Sequence, residues 1–388
     1  MAEETEMNEL FYIACAYIAI MLFKTVFSAV YAAQFRKKYP SPDSKKTVTV
    51  LQAVMGGDPE LKTVLEKNIK ENRGIAFIWL LDENDSEALE AAENLRKENP
   101  EADLLNLICP PCPEGINPKL FKLNFAVKHI RTDNIIVLDD DTFLPSETLR
   151  TLNSNLENFD LVTGLPCYLD RGNIPSRLLS QFVNNNAAMT YLPLAVFMPP
   201  VSINGMCYSM KMKTVNEIQN FSTILNHLTD DLALAKLLQE RNGKILQIPQ
   251  VQYIQTSVKD IKHYFRMMHR WFFFAVLLLK RESILMNLLI FLLHGISPFL
   301  FISALALTVL NPNPVSGAVL GGLLFFRTSA ICFLQKKLTG EIRHSFFLSL
   351  ISEILQPVHL IHASVINKIV WRKRIYKVYE NDRFTSAE

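Results

Sequence analysis

The stretch NIIVLDDDTFLP, residues 134–145, decides how the chain is read. Ile135, Ile136, Val137 and Leu138 form a short apolar run, three of the four β-branched, which predicts a buried strand. The run ends on three carboxylates, Asp139, Asp140 and Asp141. Like charges this close repel and raise one another's pKa, so a positive partner is expected at the strand end. Alternate residues of an extended segment share a face, so Asp139 and Asp141 converge while Asp140 points elsewhere. Two carboxylates at D-x-D spacing suit a hard divalent ion, Mg²⁺ or Mn²⁺, that also holds phosphate oxygens. The competing reading is an acidic turn or helix cap, which DDDT ahead of PSETLRTL (145–152) would serve in part.

Outward from this stretch, residues 45–271 form a polar region of short apolar runs alternating with amphipathic ones. TVTVLQAV (47–54) and IAFIWLLD (75–82) predict strands. DPELKTVLEKNIKEN (58–72) predicts a helix with Asp58 as N-cap and Pro59 at its first position, and SEALEAAENLRKENP (86–100) predicts another. Near-continuous apolar strands alternating with helices mean an α/β domain with a largely parallel sheet. Ligands of such sheets bind beyond the carboxyl ends of the strands, where Asp82 and Asp139–Asp141 lie.

The flanking regions are apolar. Residues 10–33 are long enough to cross a bilayer, follow an acidic start and precede QFRKK (34–38). That order opposes a cleaved signal peptide and predicts a retained anchor, within 1–36, whose C-terminal end is cytoplasmic. Lys24 interrupts the run and is expected to snorkel or to face a neighbouring helix. Residues 272–388 form a membrane region with two predicted crossings, 284–310 and 315–334, joined by the NPNP turn. A third apolar piece, 346–370, carries Glu353, Pro357, His359 and His362 and precedes the basic WRKRIYK (371–377). It reads as an interfacial or re-entrant segment with a cytoplasmic C-terminus, since a crossing would put the basic tail outside.

Composition agrees with a soluble domain joined to membrane segments. Of 388 residues 49% are hydrophobic, and mean hydropathy is +0.14. A formal charge of +2 gives no global electrostatic case for nucleic acid. Six cysteines are scattered, and the CPPC pair, Cys109 and Cys112, has no second pair to complete a zinc site, so they read as thiols in a reducing compartment.

Three further stretches carry candidate chemistry. In LTDDLALAKLLQERNGK (228–244), Thr229, Asp230 and Asp231 precede a helix. Capping accounts for one acid and leaves a carboxylate that can act as general base. In HYFRMMHRWFFF (263–274), Arg270 offers forked hydrogen bonds to phosphate and Trp271 a stacking face, although a Trp–Arg–Phe belt at a membrane interface has the same composition. His269 reads as a packing residue rather than a metal ligand. The apolar, Pro-broken YLPLAVFMPPVSINGMCYSM (191–210) could line a lipid groove or be a buried strand.

The order of these motifs resembles the membrane-bound family-two glycosyltransferases: a strand-end Asp, a D-x-D, a TED-like acid, and a QxxRW-like end before transmembrane helices. The finer match resembles the ceramide glucosyltransferase group, through GGDPELKTVLEKNI (56–69), GINPKLFKLNFAVKH (115–129) and the single N-terminal anchor. The resemblance implies an A-type glycosyltransferase α/β domain. It implies that Asp82 contacts the nucleotide base or ribose. Asp139 and Asp141 would carry metal and diphosphate, and Lys119, positioned by Asn117, would reach the donor. Asp231 would be the catalytic base, and Arg270 and Trp271 would match the end of QxxRW. Two positions depart from the pattern: Met267 replaces Gln, with Arg266 one place early, and Asp230 replaces Glu. The implied reaction moves a hexose, glucose from UDP-glucose, onto a membrane lipid hydroxyl, ceramide, with inversion, the catalytic domain facing the cytoplasm. Composition does not select ceramide over a diacylglycerol, a hopanoid or a polyprenyl phosphate. The rivals are a processive polysaccharide synthase, for which the predicted crossings are few, and a non-catalytic membrane scaffold, which would lack the acids that are present here. A transporter would place its ionisable cluster mid-membrane rather than in the polar domain.

Overall fold

The computed structural model describes residues 2–39, 44–170, 172–371, 374–379 and 382–387. Among them, one eight-stranded sheet organises the polar domain. Its strands are β1 (Val48–Ala53), β2 (Ala76–Asp82), β3 (Leu104–Cys109), β4 (Asn134–Asp139), β5 (Thr142–Phe143), β6 (Leu161–Tyr168), β7 (Cys207–Lys211) and β8 (Ile245–Ile254). The spatial order is β3-β2-β1-β4-β7-β6-β8-β5. The half formed by β3, β2, β1 and β4 is wholly parallel, as the strand–helix alternation predicts. The other half is mixed, because β7 runs antiparallel between β4 and β6 and β5 antiparallel to β8. β7 enters from the loop MPPVSING (198–205) rather than from a crossover helix, so the alternation rule does not reach it.

Both faces of the sheet are covered, which explains the near-continuous apolar strands. In β2, Ile78 and Leu80 face a core shared with α4 (Pro118–Ala126), α7 (Met212–Glu217) and α8 (Asp230–Glu240). Trp79 and Leu81 point the other way, into a core with α2 (Leu61–Glu71) and α3 (Ser86–Glu98). α5 (Ser146–Asn155) and Phe35 cover the same side further along. The chain order reverses between β1 and β4, so Asp139 leaves the sheet at its topological switch point.

The predicted cap of α2 differs. α2 starts at Leu61, its N-cap Glu60 makes no side-chain cap, and Asp58 accepts from the Glu60 and Ser257 amides and the Ser257 hydroxyl. Asp58 thus ties the start of α2 to the loop after β8. Further along α2, Asn68 grips the segment after the three aspartates, donating to Thr142 O and accepting from Leu144 N, each at 2.8 Å.

Four helices among the described residues are long and apolar enough to cross a membrane: Glu6–Lys38, Ile284–Leu310, Pro314–Thr339 and Phe346–Val365. The first lies within α1 (Ala2–Lys38). The second comprises α10 (Ile284–Ile290), a π-helical turn at Phe291–Gly295, and α11 (Ile296–Leu310). α12 (Pro314–Thr339) is capped by Asn313, so the predicted NPNP turn joins it to α11. The expected boundary at 271/272 falls inside one continuous helix, α9 (Ile261–Arg281), which carries the domain into the apolar region.

α13 (Phe346–Val365) is tied to the polar domain at both ends. At its start Ser345 N donates to Gln181 Oε1 at 2.9 Å, and Ser349 Oγ accepts from Asn185 at 2.8 Å, both partners lying on α6 (Ile174–Ala195). Towards its end His359 and His362 meet Tyr264 (3.2 Å) and His269 (2.8 Å) of α9. The tail beyond forms an antiparallel sheet of β9 (Lys368–Trp371), β10 (Arg374–Val378) and β11 (Phe384–Ala387). Arg372 and Lys373 of the predicted basic tail lie outside the described residues.

Asn68 is fully buried, so Asn68→Ala strands a carbonyl and an amide without partners. A loss of about 2–4 kcal/mol is expected, read as a lowered thermal midpoint of the detergent-solubilised protein.

Candidate active site

The positive partner that the three aspartates call for comes from α4. Asn117 caps this helix, its Oδ1 accepting from the Lys119 and Leu120 amides, and Pro118 occupies the first position. Lys119 Nζ stands 2.7 Å from Asp139 Oδ1 and 3.2 Å from Asp230 Oδ2, and donates to Gly205 O at 2.7 Å. Burial alone would lower the Lys119 pKa, but Asp139 and then Asp230 outweigh it and hold the ammonium charged. One turn on, Lys122, 3% exposed, stands 2.8 Å from Asp82 Oδ2. Two strand-end carboxylates are therefore each met by a lysine of one helix.

Asp140 points away from its neighbours, accepting from Met55 N at 2.8 Å. Asp141 accepts hydrogen bonds from the Thr142 and Thr256 hydroxyls. Asp230 and Asp231 open α8 without a side-chain cap from Thr229. Burial, then the charge of Asp230, pushes Asp231 up to about 7. Burial raises Asp230 as well, opposed by Lys119. Gly205 packs directly on Asp231: a Cβ there would sit 3.1 Å from Asp231 Cβ and 3.3 Å from its Oδ2, so a side chain would displace the carboxylate.

One cavity of about 1500 Å³ joins these groups. Asp82, Lys119, Asp139, Asp141, Asp231, Arg270 and Trp271 all line it. Trp271 also packs on Tyr168 and Phe182, with ring centroids at 5.7 and 6.2 Å. Asn117 stands behind Lys119 and fixes its helix. It is fully buried and does not line the cavity, and its amide donates to His227 O and Leu228 O at 3.1 and 2.9 Å. Its work is to hold α4 against the segment that leads to Asp230. His269 packs, bonded to Lys368 O and His362. Residues 191–210 include the predicted buried strand, at β7, and Tyr191 and residues 202–206 line the cavity.

Lys122 and Asp382 are the site residues that sequence reasoning missed. Lys122 had a signal, its i, i+3 spacing from Lys119 on a capped helix. Asp382 had none, since it lies 153 residues from its partner. It is fully buried, its carboxylate accepts from the Thr229 amide and hydroxyl, and its carbonyl accepts from Leu228 N at 3.0 Å. Arg281 Nη2 lies 3.1 Å from the same carboxylate. The C-terminal sheet thus fixes the start of α8.

Among the described residues no group of three or more His, Cys, Asp or Glu side chains is gathered to hold a metal ion, so a cation here would rest on the two strand-end acids. Asp139 and Asp141 are hard carboxylates on one cavity wall, and the Asp139 side chain keeps 32% of its surface open. Two carboxylates leave coordination positions for phosphate oxygens, the arrangement Mg²⁺-type ions favour.

The fold is that of the GT-A glycosyltransferases, a mixed α/β domain with a curled central sheet. A mannosyltransferase from Pyrobaculum calidifontis, solved with GDP-Man and Mn²⁺, superposes with a TM-score of 0.51 at 16% identity, covering 92% of this chain and 98% of that one. S. aureus TarS 1–349, solved with UDP-GlcNAc, is more distant, with a TM-score of 0.39 at 10% identity over 88% and 99% of the two chains. No curated protein matches the chain. The chain belongs to glycosyl transferase family 21, whose model matches residues 11–384. This is the family of the ceramide glucosyltransferases, narrower than the family-two resemblance of the motifs.

Asp382→Ala would leave the Arg281 guanidinium and the Thr229 amide without their shared acceptor, and a loss of about 3 kcal/mol is expected. Asp382→Asn keeps an acceptor for Thr229 and tolerates the left-handed backbone at this position (φ 64°), so its melting temperature should fall less.

Proposed function

We propose that the protein transfers glucose from UDP-glucose onto the hydroxyl of a membrane lipid, ceramide, with inversion at the anomeric carbon. The observation that carries this reading is the position of Asp231. It is a half-buried carboxylate with its pKa raised to about 7, on the wall of a cavity that runs from the strand-end aspartates to the apolar helices. The sugar donor belongs at the polar end, with Asp82 and Lys122 near the nucleoside and Arg270 near the diphosphate. Trp271 walls the donor side and Asn117 holds Lys119 in reach. Asp139 and Asp141 would hold Mn²⁺ or Mg²⁺, which when bound offsets diphosphate charge; the Mn²⁺ in the mannosyltransferase complex supports this.

Asp231 accepts the proton of the acceptor hydroxyl as that oxygen forms its bond to the anomeric carbon. The bond from that carbon to the phosphate oxygen breaks, and the diphosphate departs with the electron pair. General-base assistance of this kind contributes about 10²–10⁴-fold. The lipid enters from the helices, and α1, α10–α11 and α12 anchor the domain on the cytoplasmic face. The ties at both ends of α13 support an interfacial helix that returns the C-terminus to the same face.

The test is transfer by the purified full chain in detergent, with UDP-glucose, Mn²⁺ and ceramide. Glucosylceramide is the expected product, and transfer to another lipid alone would discard the ceramide assignment. Asp231→Asn should lose at least about 10²-fold in turnover. A base must be ionised to work, so kcat/KM for the donor should rise with pH through an acid limb near 7. Asp230→Asn removes the larger of the charges that raise Asp231, and its limb should move to lower pH.

A further inference from the structure

The cavity has a second polar end, enclosed by the apolar helices. Glu353 of α13 accepts from the Tyr17 hydroxyl at 2.9 Å and pairs with Arg327 of α12. Arg327 Nη2 donates to Ser349 O at 3.1 Å, and its guanidinium lies 5.9 Å over the Phe301 ring. Three buried polar atoms here have no hydrogen-bond partner: Arg327 Nη1, Ser297 Oγ and Ser352 Oγ. Their residues are 2%, 5% and 2% exposed, and all three line the cavity. Lys24 also lines it, 5% exposed, so it faces inward rather than snorkelling. Two turns separate it from Tyr17 on α1, and among the described residues no ion pair holds it.

Unsatisfied polar groups in an apolar interior are costly, and ionisable groups inside a membrane mark ligand paths. The cluster sets two cations against one carboxylate and leaves a guanidinium donor and two hydroxyls open. What completes it is an oxygen that accepts hydrogen bonds. α6 borders both ends of the cavity: Tyr191 lines it, and so does Asn185, which donates to Ser349 Oγ at 2.8 Å.

We propose that Arg327, Ser297 and Ser352 form an acceptor subsite that binds a second oxygen of the lipid, a carbonyl or hydroxyl carried beyond the hydroxyl that reacts. The subsite rests on the lipid-acceptor reading above. It makes the enzyme selective for lipids with a polar group near the root of their chains, and it places Lys24 beside that group.

The experiment uses the full chain in detergent with UDP-glucose and Mn²⁺ and three acceptors of equal chain length. An N-acyl ethanolamine offers a carbonyl, a 1,2-diol offers a second hydroxyl, and a primary alcohol offers neither. The wild type is expected to favour one or both of the first two by about tenfold in kcat/KM over the alcohol. Whichever is favoured identifies the oxygen bound. Ser297→Ala with Ser352→Ala should cut that preference to about threefold or less while leaving alcohol turnover unchanged. Arg327→Lys, which keeps the charge opposite Glu353, should do the same if the double variant fails to fold. Equal use of all three acceptors by the wild type, or an unchanged preference in the folded variants, overturns the subsite and leaves lipid glycosylation standing. Transfer to none of these lipids or to ceramide overturns the lipid-acceptor reading and the subsite with it.

Discussion

The ammonium of Lys119 between Asp139 and Asp230 is the contact on which the rest depends. Asp139 ends a parallel strand at the switch point of the sheet, while Asp230 opens a helix 91 residues later in the chain. Without a cation between them the two acids would repel, and α8 would move off the sheet edge. A lysine taken out of water is costly by itself, and two carboxylates and the Gly205 carbonyl compensate it here. The arrangement requires that α4 start in a fixed place, and Asn117 secures this by capping α4 while donating to the two carbonyls ahead of Thr229.

The long apolar helices are part of the same construction. α9 passes without a break from the polar domain into the apolar region, and α13 is bonded to α6 at one end and α9 at the other. The tail then returns to the active site, where Asp382 accepts from Thr229 at the start of α8. The helix carrying Asp231 is thus held by Lys119 from the sheet side and by Asp382 from the C-terminal side. A change in the packing of α9, which carries Arg281, would be felt at Asp231 through a single carboxylate.

How much of this was legible in the sequence follows from the range of each interaction. β1, β2 and β4 and the outward turn of Asp140 are local consequences of apolar runs and a period of two, and they are present. The four acids and the Arg–Trp end lie on one cavity, as the order of the motifs implies. Asp58 was misread because a Pro-flanked acid before a helix is locally a good cap, whereas Ser257 competes for it from 199 residues away. β7 escaped because its direction is set by where the loop before it lands. The aspartates were expected to face a metal, and in this chain a lysine meets Asp139 first. Spacing showed that a positive charge was needed without showing which one.

The charge balance explains why Lys119 and a divalent cation are compatible. Asp82, Asp139, Asp141, Asp230 and Asp231 carry five potential negative charges, and Lys119 and Lys122 return two. In the proposed reaction a nucleotide diphosphate would bring further negative charge to the same cavity, and Asp139 and Asp141 would hold a cation that offsets it. Asp231 lies beyond this neutralised zone, next to Asp230 and Gly205. Its carboxyl is therefore kept basic by burial and by a neighbouring acid, while Asp139 and Asp82 are each paired with a lysine. In the proposed reaction this division would separate holding the leaving group from removing the proton, within one stretch of sheet edge.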